Sequence, residues 1–241
     1  MKENCIVLYS GGMDSTVVLH TALNQCTNVT ALTFNYNQKH SIEINKASSY
    51  IENLENLNLK HIILNIQEIG SNLTSSALTN SSINVPNIKD VLGDPQTVTY
   101  VPNRNLMFLS IAAAFAESQN CSRVFYGAAE ADNTSGYWDC TEEFLKILNS
   151  LLNLNRKNTI QIEAPLIHLN KSEIIENGIQ LGVNFKETHT CYNPDENNLS
   201  CGICASCSAR IAGFINAGFI DPVKYSRKIP WSEYNCVNIN L

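Results

Sequence analysis

Three observations predict a doubly wound α/β domain built on a parallel sheet, with a small cysteine-rich appendage at its C-terminal end. Short β-branched runs alternate with longer stretches of helical period, the runs are apolar almost throughout, and the periodic pattern gives way to clustered cysteines beyond about residue 184. The runs Cys5–Tyr9, Val29–Phe34, His61–Ile66, Arg123–Gly127 and Ile160–Glu163 read as strands. Continuous apolar strands are buried on both faces, and helices at about 14–25, 41–58, 105–119, 141–153 and 171–181 supply the right-handed crossovers of a parallel sheet. A strand order of 3-2-1-4-5 is expected, with a ligand crevice where strands one and four diverge. The α/β domain is expected over residues 1–184 and the appendage over 185–241, the latter with one helix from about Ala205 to Ala217.

At 241 residues, 44% of them apolar, the chain fills the core of one large domain. Residues 67–100 carry Ser71-Asn72, Asn80-Ser81-Ser82, Pro86 and Gly93-Asp94-Pro95, too many turn formers for a core element and too long a run for an idle connector, and read as a flap over the site. The formal net charge of -6 argues against a nucleic-acid partner, which calls for a basic surface, and favours a small-molecule substrate. No apolar span of membrane length and no signal-peptide pattern is present, so a cytoplasmic protein without a membrane partner is expected. Nine cysteines in such a setting point to a metal site or free thiols more than to disulfides.

Ser10-Gly11-Gly12-Met13-Asp14-Ser15-Thr16 lies directly after the first strand and before an apolar-periodic helix. The free N–H groups and positive dipole end of a helix N-terminus form an anion site, and the two glycines allow close approach to phosphate oxygens. The simpler alternative is a tight turn with Asp14 or Ser15 as N-cap. There is no Gly-x-x-x-x-Gly-Lys-Ser/Thr and no Gly-x-Gly-x-x-Gly, which excludes the ordinary P-loop and a dinucleotide fingerprint. Ser-Gly-Gly-x-Asp-Ser in this position resembles the PP-loop signature of the ATP pyrophosphatases, an adenine nucleotide alpha hydrolase-like fold. The resemblance implies ATP bound by Ser10 to Thr16, adenylation of a substrate oxygen with release of pyrophosphate, and a role for Asp14 in holding the loop or Mg²⁺. Glu130 and Asp132, after the fourth strand, are expected to face the ligand across the crevice. Asn170 and Glu173 satisfy a capping box; Lys171 is either a solvated first-turn lysine or, as the resemblance implies, a cation that offsets charge on the departing pyrophosphate.

Cys191, Cys201, Cys204 and Cys207 form a Cys-x9-Cys-x2-Cys-x2-Cys cluster whose two-residue spacings bring thiolates onto one tetrahedral ion. Four thiolates leave no open position, so a structural Zn²⁺ is expected, worth on the order of 10 kcal/mol to an appendage with little core of its own. An iron–sulfur cluster is the weaker alternative, there being no visible electron-transfer partner. His189, two residues before Cys191, is not expected as a ligand while four cysteines are present. Cys5, Cys26, Cys121 and Cys236 read as small buried hydrophobes, and Cys140 as a packing residue near the ligand loop.

Together with the loop and the cysteine segment, Phe34-Asn35-Tyr36-Asn37-Gln38-Lys39-His40, Val101-Pro102-Asn103-Arg104-Asn105 and Ser135-Gly136-Tyr137-Trp138-Asp139-Cys140 resemble the QueC family in order and spacing over nearly the whole chain. The resemblance implies that 7-carboxy-7-deazaguanine is adenylated, that ammonia displaces AMP to give an amide, and that a second ATP-driven activation dehydrates the amide to a nitrile. It implies substrate contacts from Tyr36, Gln38, His40, Glu130, Asp132, Ser135, Gly136, Tyr137 and Asp139, catalytic roles for Asp14, Arg104 and Lys171, a structural zinc and a homodimer. The chain has Asn103 where the family usually has Gly, Trp138 where it has Pro and Thr141 where it has Arg. Other readings are transfer of the activated acid to a protein amine, a tRNA thiolase or lysidine-type ligase, which the acidic balance disfavours, and a nucleotide-binding regulator without catalysis.

Overall fold

The chain alternates strand and helix from its first element: β1 (Cys5–Leu8), α1 (Met13–Gln25), β2 (Val29–Asn35), α2 (Ile42–Asn53) and β3 (Leu59–Asn65). A short helix α3 (Gln67–Asn72) follows, then α4 (Arg104–Ser118), β4 (Arg123–Phe125), α5 (Glu142–Leu152), β5 (Gln161–Glu163), α6 (Lys171–Gln180), α7 (Ala205–Asn216), β6 (Phe219–Ile220) and β7 (Val237–Asn238). The computed structural model describes residues 3–39, 42–91, 97–129, 136–155, 157 and 159–239.

Five strands form one parallel sheet in the order β3-β2-β1-β4-β5, as the alternation predicts, and β6 pairs with β7 separately. β1 lies in the middle, Cys5 pairing with Val29 on one side and Arg123 on the other. Its residues point alternately to two cores. Cys5, Val7 and Tyr9 pack with α1, α2 and the late helices through Val17, Ile51, Ile174 and Phe214. Ile6 packs on the opposite face with Leu109, Ala112 and Ala116 of α4 and Phe144 and Leu148 of α5. The alanines of α4 let that helix lie close to the sheet, which places its first residue, Arg104, at the carboxyl end of β1.

β3 departs from the expectation of a strand buried on both faces. It starts two residues earlier than its apolar run suggests and, at the edge where the expected order puts it, leaves Ile63 44% exposed. The opposite edge is protected by Asn149 of α5, whose Oδ1 accepts from Ile162 N at 2.8 Å and whose Nδ2 donates to Ile162 O at 3.0 Å. Such a pairing satisfies the outer ladder groups that an edge strand otherwise leaves open. α2 ends at Asn53 rather than near residue 58, and Glu55 takes a positive φ of 46° in the turn that follows.

Within the segment read as a flap, Ser76 and Ala77 are fully buried, Leu78 O accepts from Lys39 N at 2.8 Å, and Ile88 N donates to Ile203 O at 3.0 Å. The segment thus bridges the turn after β2 and the cysteine cluster. Cys5, Cys26 and Cys121 are buried as expected, whereas Cys236 is half-exposed. Among the described residues no helix is long and apolar enough to cross a membrane.

Candidate active site

The site begins where β1 ends. Gly11 takes φ +78°, and a β-carbon there would lie 2.9 Å from the main-chain nitrogen of Ala47 on α2. Both the left-handed backbone and the close helix demand glycine. Gly12 is the N-cap of α1 and no side chain caps the helix, so neither Asp14 nor Ser15 takes the capping role of the simple-turn reading. Hydroxyls brace the loop from within instead: Thr16 Oγ1 donates to Gly12 O at 2.8 Å, Ser15 Oγ to the same carbonyl at 3.1 Å, and Ser10 N to Ser15 Oγ at 3.2 Å. The result is an uncapped, dipole-positive helix end with a preformed small-residue rim.

Lys171 opens α6 behind a complete Asn170/Glu173 capping box. Its Nζ donates to Asp14 Oδ2 at 2.8 Å. The other carboxylate oxygen, Asp14 Oδ1, is buried without a hydrogen-bond partner. Close packing of α7 fixes this corner, since a β-carbon on Gly213 would come within 2.7 Å of Lys171 Cβ.

A cleft of about 250 Å³ extends from the loop across the carboxyl ends of the central strands. Of the residues singled out in the sequence, Ser10, Gly12, Met13, Asp14, Ser15, Tyr36, Gln38 and Arg104 line it. Gly11 and Thr16 support the loop from behind. Gln38 turns its side chain onto the backbone, accepting from Tyr36 N at 3.0 Å and donating to Phe34 O at 3.3 Å, and so shapes the turn after β2. Arg104, the first residue of α4, faces the cleft with Tyr36 and Tyr192. Burial works against its charge, but Tyr36, Tyr192 and Asp139 outweigh that cost and raise its pKa, so it remains a guanidinium.

Tyr137 and Asp139 do not line the cleft, and neither does Gly136. The Tyr137 hydroxyl is bonded with Thr99 Oγ1 at 3.0 Å. Asp139 is buried behind Arg104, and burial raises its carboxyl against the pull of that guanidinium. Cys140 does line the cleft and accepts from Asn105 Nδ2 at 3.3 Å. His40, Glu130, Asp132 and Ser135 lie outside the described residues. The family departures have local explanations: Asn103 holds a left-handed φ of 54°, which glycine would otherwise supply, Trp138 Nε1 donates to the Tyr100 hydroxyl at 2.8 Å, and Thr141 caps α5 through Phe144 N at 3.1 Å.

Phe108 and Glu43, both on the cleft, fall outside the motifs. Phe34 and Phe108 stack with ring centroids 4.1 Å apart and an interplanar angle of 4°, forming an aromatic wall. Glu43, in the first turn of α2, faces the same space, and burial pushes its carboxyl up to about 7 despite opposition from Arg104. Only its place one turn before Ala47 on the same helix face would have marked it in the sequence.

The four thiols of Cys191, Cys201, Cys204 and Cys207 lie within 4.8 Å of one another and are all buried. Main-chain N–H groups point at the sulfurs, including Cys201 N to Cys191 Sγ at 3.2 Å and Cys207 N to Cys204 Sγ at 3.4 Å. An all-sulfur donor set stabilised by N–H groups fits a tetrahedral metal ion with thiolate ligands. His189 stands apart from the set, its Nε2 bonded to Cys191 O at 2.9 Å.

This cluster is tied to the phosphate loop. Arg210, one turn beyond Cys207 and 2% exposed, makes a double ion pair with Asp221 through Nε at 2.7 Å and Nη2 at 2.9 Å. Its remaining donors reach Thr188 Oγ1 at 2.8 Å, Thr190 Oγ1 at 3.0 Å and Phe185 O at 3.0 Å. Between the two threonines, His189 N donates to Gly11 O at 2.9 Å.

A glycine loop at the end of the central strand, an uncapped helix behind it and a cleft at the switch point define a PP-loop α/β protein. The fold is shared with a solved NMN synthetase from Francisella tularensis, with a TM-score of 0.52 at 18% identity over 97% of this chain and 82% of that one. A family model described as queuosine biosynthesis protein QueC matches residues 4–218, and the chain belongs to that family. It is 40% identical over 232 residues to the 7-cyano-7-deazaguanine synthase of Geobacter sp. (strain M21), covering 94% of this chain and 100% of that protein. The protein of the same name from Thermoplasma volcanium is 40% identical over 245 residues, covering 99% and 98% of the two chains.

Replacing Asp221 with Asn would leave the Arg210 charge buried without its counterion, which costs about 3 kcal/mol or more. Urea unfolding should register that loss, and amide hydrogen exchange at His189 should quicken. Unchanged stability and unchanged exchange would disprove the link from the cysteine segment to the loop.

Proposed function

We propose that this chain is an ATP-dependent carbon–nitrogen ligase that converts 7-carboxy-7-deazaguanine and ammonia to 7-cyano-7-deazaguanine through an adenylated carboxylate and an amide. The observation that carries this reading is its 40% identity, across nearly the full length of both chains, to proteins named for that product, with the phosphate loop and cleft intact. Transfer of the activated acid to a protein amine has no comparable support.

The chemistry follows from what the cleft residues offer. A carboxylate is a poor electrophile until one oxygen becomes a good leaving group, and adenylation supplies that group. The loop from Ser10 to Thr16 holds the phosphates that depart as pyrophosphate, with main-chain N–H groups aimed at the charge that builds on them. Lys171 adds a fixed cation beside Asp14. Asp14 Oδ1, buried and unpartnered, is the oxygen that would face Mg²⁺, whose chemistry is to neutralise charge on the phosphates. Arg104 steadies the substrate carboxylate or the α-phosphate from the start of α4. The Phe34–Phe108 wall and Tyr36 give the flat base an apolar surface to lie against.

The four-cysteine cluster is read as a Zn²⁺ site closed to substrate, with Cys191, Cys201, Cys204 and Cys207 as ligands and a structural role only. Self-association into a homodimer is supported by Ile147, Leu151 and Leu154, which leave an apolar stripe on the outer face of α5 and the turn after it, 61%, 57% and 73% exposed.

Incubation with 7-carboxy-7-deazaguanine, ATP, Mg²⁺ and ammonium should yield the nitrile, with the amide as a transient species, both resolved by mass spectrometry. No acid-stimulated ATP consumption would refute the substrate assignment. Elemental analysis of the purified protein should return one zinc per chain. Stoichiometric iron, or full stability after chelation and verified metal loss, would refute the structural-zinc reading.

A further inference from the structure

We infer that Glu43 is the base that removes the nitrogen-bound protons in the ligase reaction, an inference that rests on the function proposed above. It sits on the cleft wall in the first turn of α2, one helical turn before Ala47, the residue against which Gly11 is seated. Residues four apart share a helix face, so the contact that positions the phosphate loop also sets Glu43 beside it. Glu43 and Asp14 are the carboxylates on the described wall of the cleft. Asp14 is committed to Lys171, whereas no hydrogen bond or ion pair engages Glu43 among the described residues.

The reaction needs such a group more than once. When ammonia attacks the acyl adenylate, a C–N bond forms, the C–O bond to AMP breaks with its electron pair leaving on the phosphate oxygen, and one N–H proton must go. When the amide oxygen attacks the α-phosphorus of a second ATP, pyrophosphate leaves, and the resulting adenylated amide loses a first N–H proton to become an imidate. Loss of the last N–H proton then forms the C≡N bond as AMP carries the oxygen away. Each proton passes to the Glu43 carboxylate and from there to water. A carboxylate serves best as base when its pKa lies near working pH, and burial brings Glu43 to about 7. Arg104 and Tyr36 are the groups whose charge acts on Glu43. Asp14, His189 and Tyr192 share the cleft, as do Tyr9, Tyr126 and Cys140.

Glu43→Gln tests the assignment because it keeps the shape and removes the base. The acid-dependent exchange of labelled pyrophosphate into ATP, which needs no proton acceptor on nitrogen, should stay within about threefold of the unmodified chain. Amide and nitrile formation should fall about 100-fold or more. At constant free ammonia, the unmodified chain should lose rate as pH falls through about 7, the carboxylate being protonated below that point, and the variant should lack this limb. If Glu43→Gln unfolds on thermal melting, Glu43→Asp should show the same split between exchange and amide synthesis, less deeply. Amide synthesis at the normal rate in Glu43→Gln, or loss of exchange together with amide synthesis in the folded variant, would overturn the inference alone. Absence of acid-stimulated exchange in the unmodified chain would overturn the function on which it rests.

Discussion

Gly11 is held on two sides at once. Its α-carbon faces the backbone of Ala47 with no room for a side chain, and its carbonyl accepts the His189 amide. An early helix and a late segment therefore close on the same residue, and the loop between β1 and α1 takes the shape they leave. The arrangement of the cleft follows. α2 sets Glu43 next to the loop, the segment after α6 brings His189, Thr190 and Tyr192 to its rim, and the uncapped end of α1 points into the space between. Preorganisation of this kind matters for a step in which charge builds on a departing pyrophosphate, because donors already in place need no reordering as the charge develops.

The late segment owes its position to groups with no direct part in that chemistry. Four thiols anchor the start of α7, and the ion pair of Arg210 with Asp221 carries that anchorage to Thr188 and Thr190 on either side of His189. A buried pair of this type adds little net stability over a well-packed apolar alternative, yet it is costly to break by halves. Its value here is geometric, since a guanidinium with five donors fixes two strands of irregular backbone at once. Phe185 and Phe214, edge to face with centroids 5.5 Å apart, join the same segment to the main core.

Much of this was legible in the sequence because it depends on local pattern. Apolar runs at regular spacing marked the five strands, the doubly wound pattern set their expected order, and a small-residue turn between strand and helix marked the phosphate loop. Cysteine spacing gave a cluster that can bind a metal. What the pattern missed depends on tertiary placement. β3 reads like its neighbours as a strand buried on both faces, yet it holds the edge of the expected order and borders solvent. Gln38 and Asp139 are substrate contacts by resemblance; Gln38 lines the cleft while bracing its own turn, whereas Asp139 lies behind Arg104 and outside the cleft lining. Asn103, which breaks the family pattern in the sequence, keeps the left-handed backbone that the pattern requires. Glu43 carries no motif of its own and gains its interest only from the helix face that it shares with Ala47.

In the proposed function one cleft, bounded by the loop, α2 and the segment around His189, encloses the nucleotide together with the acid it activates. A crystal structure of the protein with 7-carboxy-7-deazaguanine and a non-hydrolysable ATP analogue tests this directly. The phosphates should lie on the main-chain N–H groups at the start of α1, with the deazaguanine ring along the Phe34–Phe108 wall and its carboxylate between Arg104 and the α-phosphate. A nucleotide bound elsewhere, or a base placed away from that wall, would contradict the account.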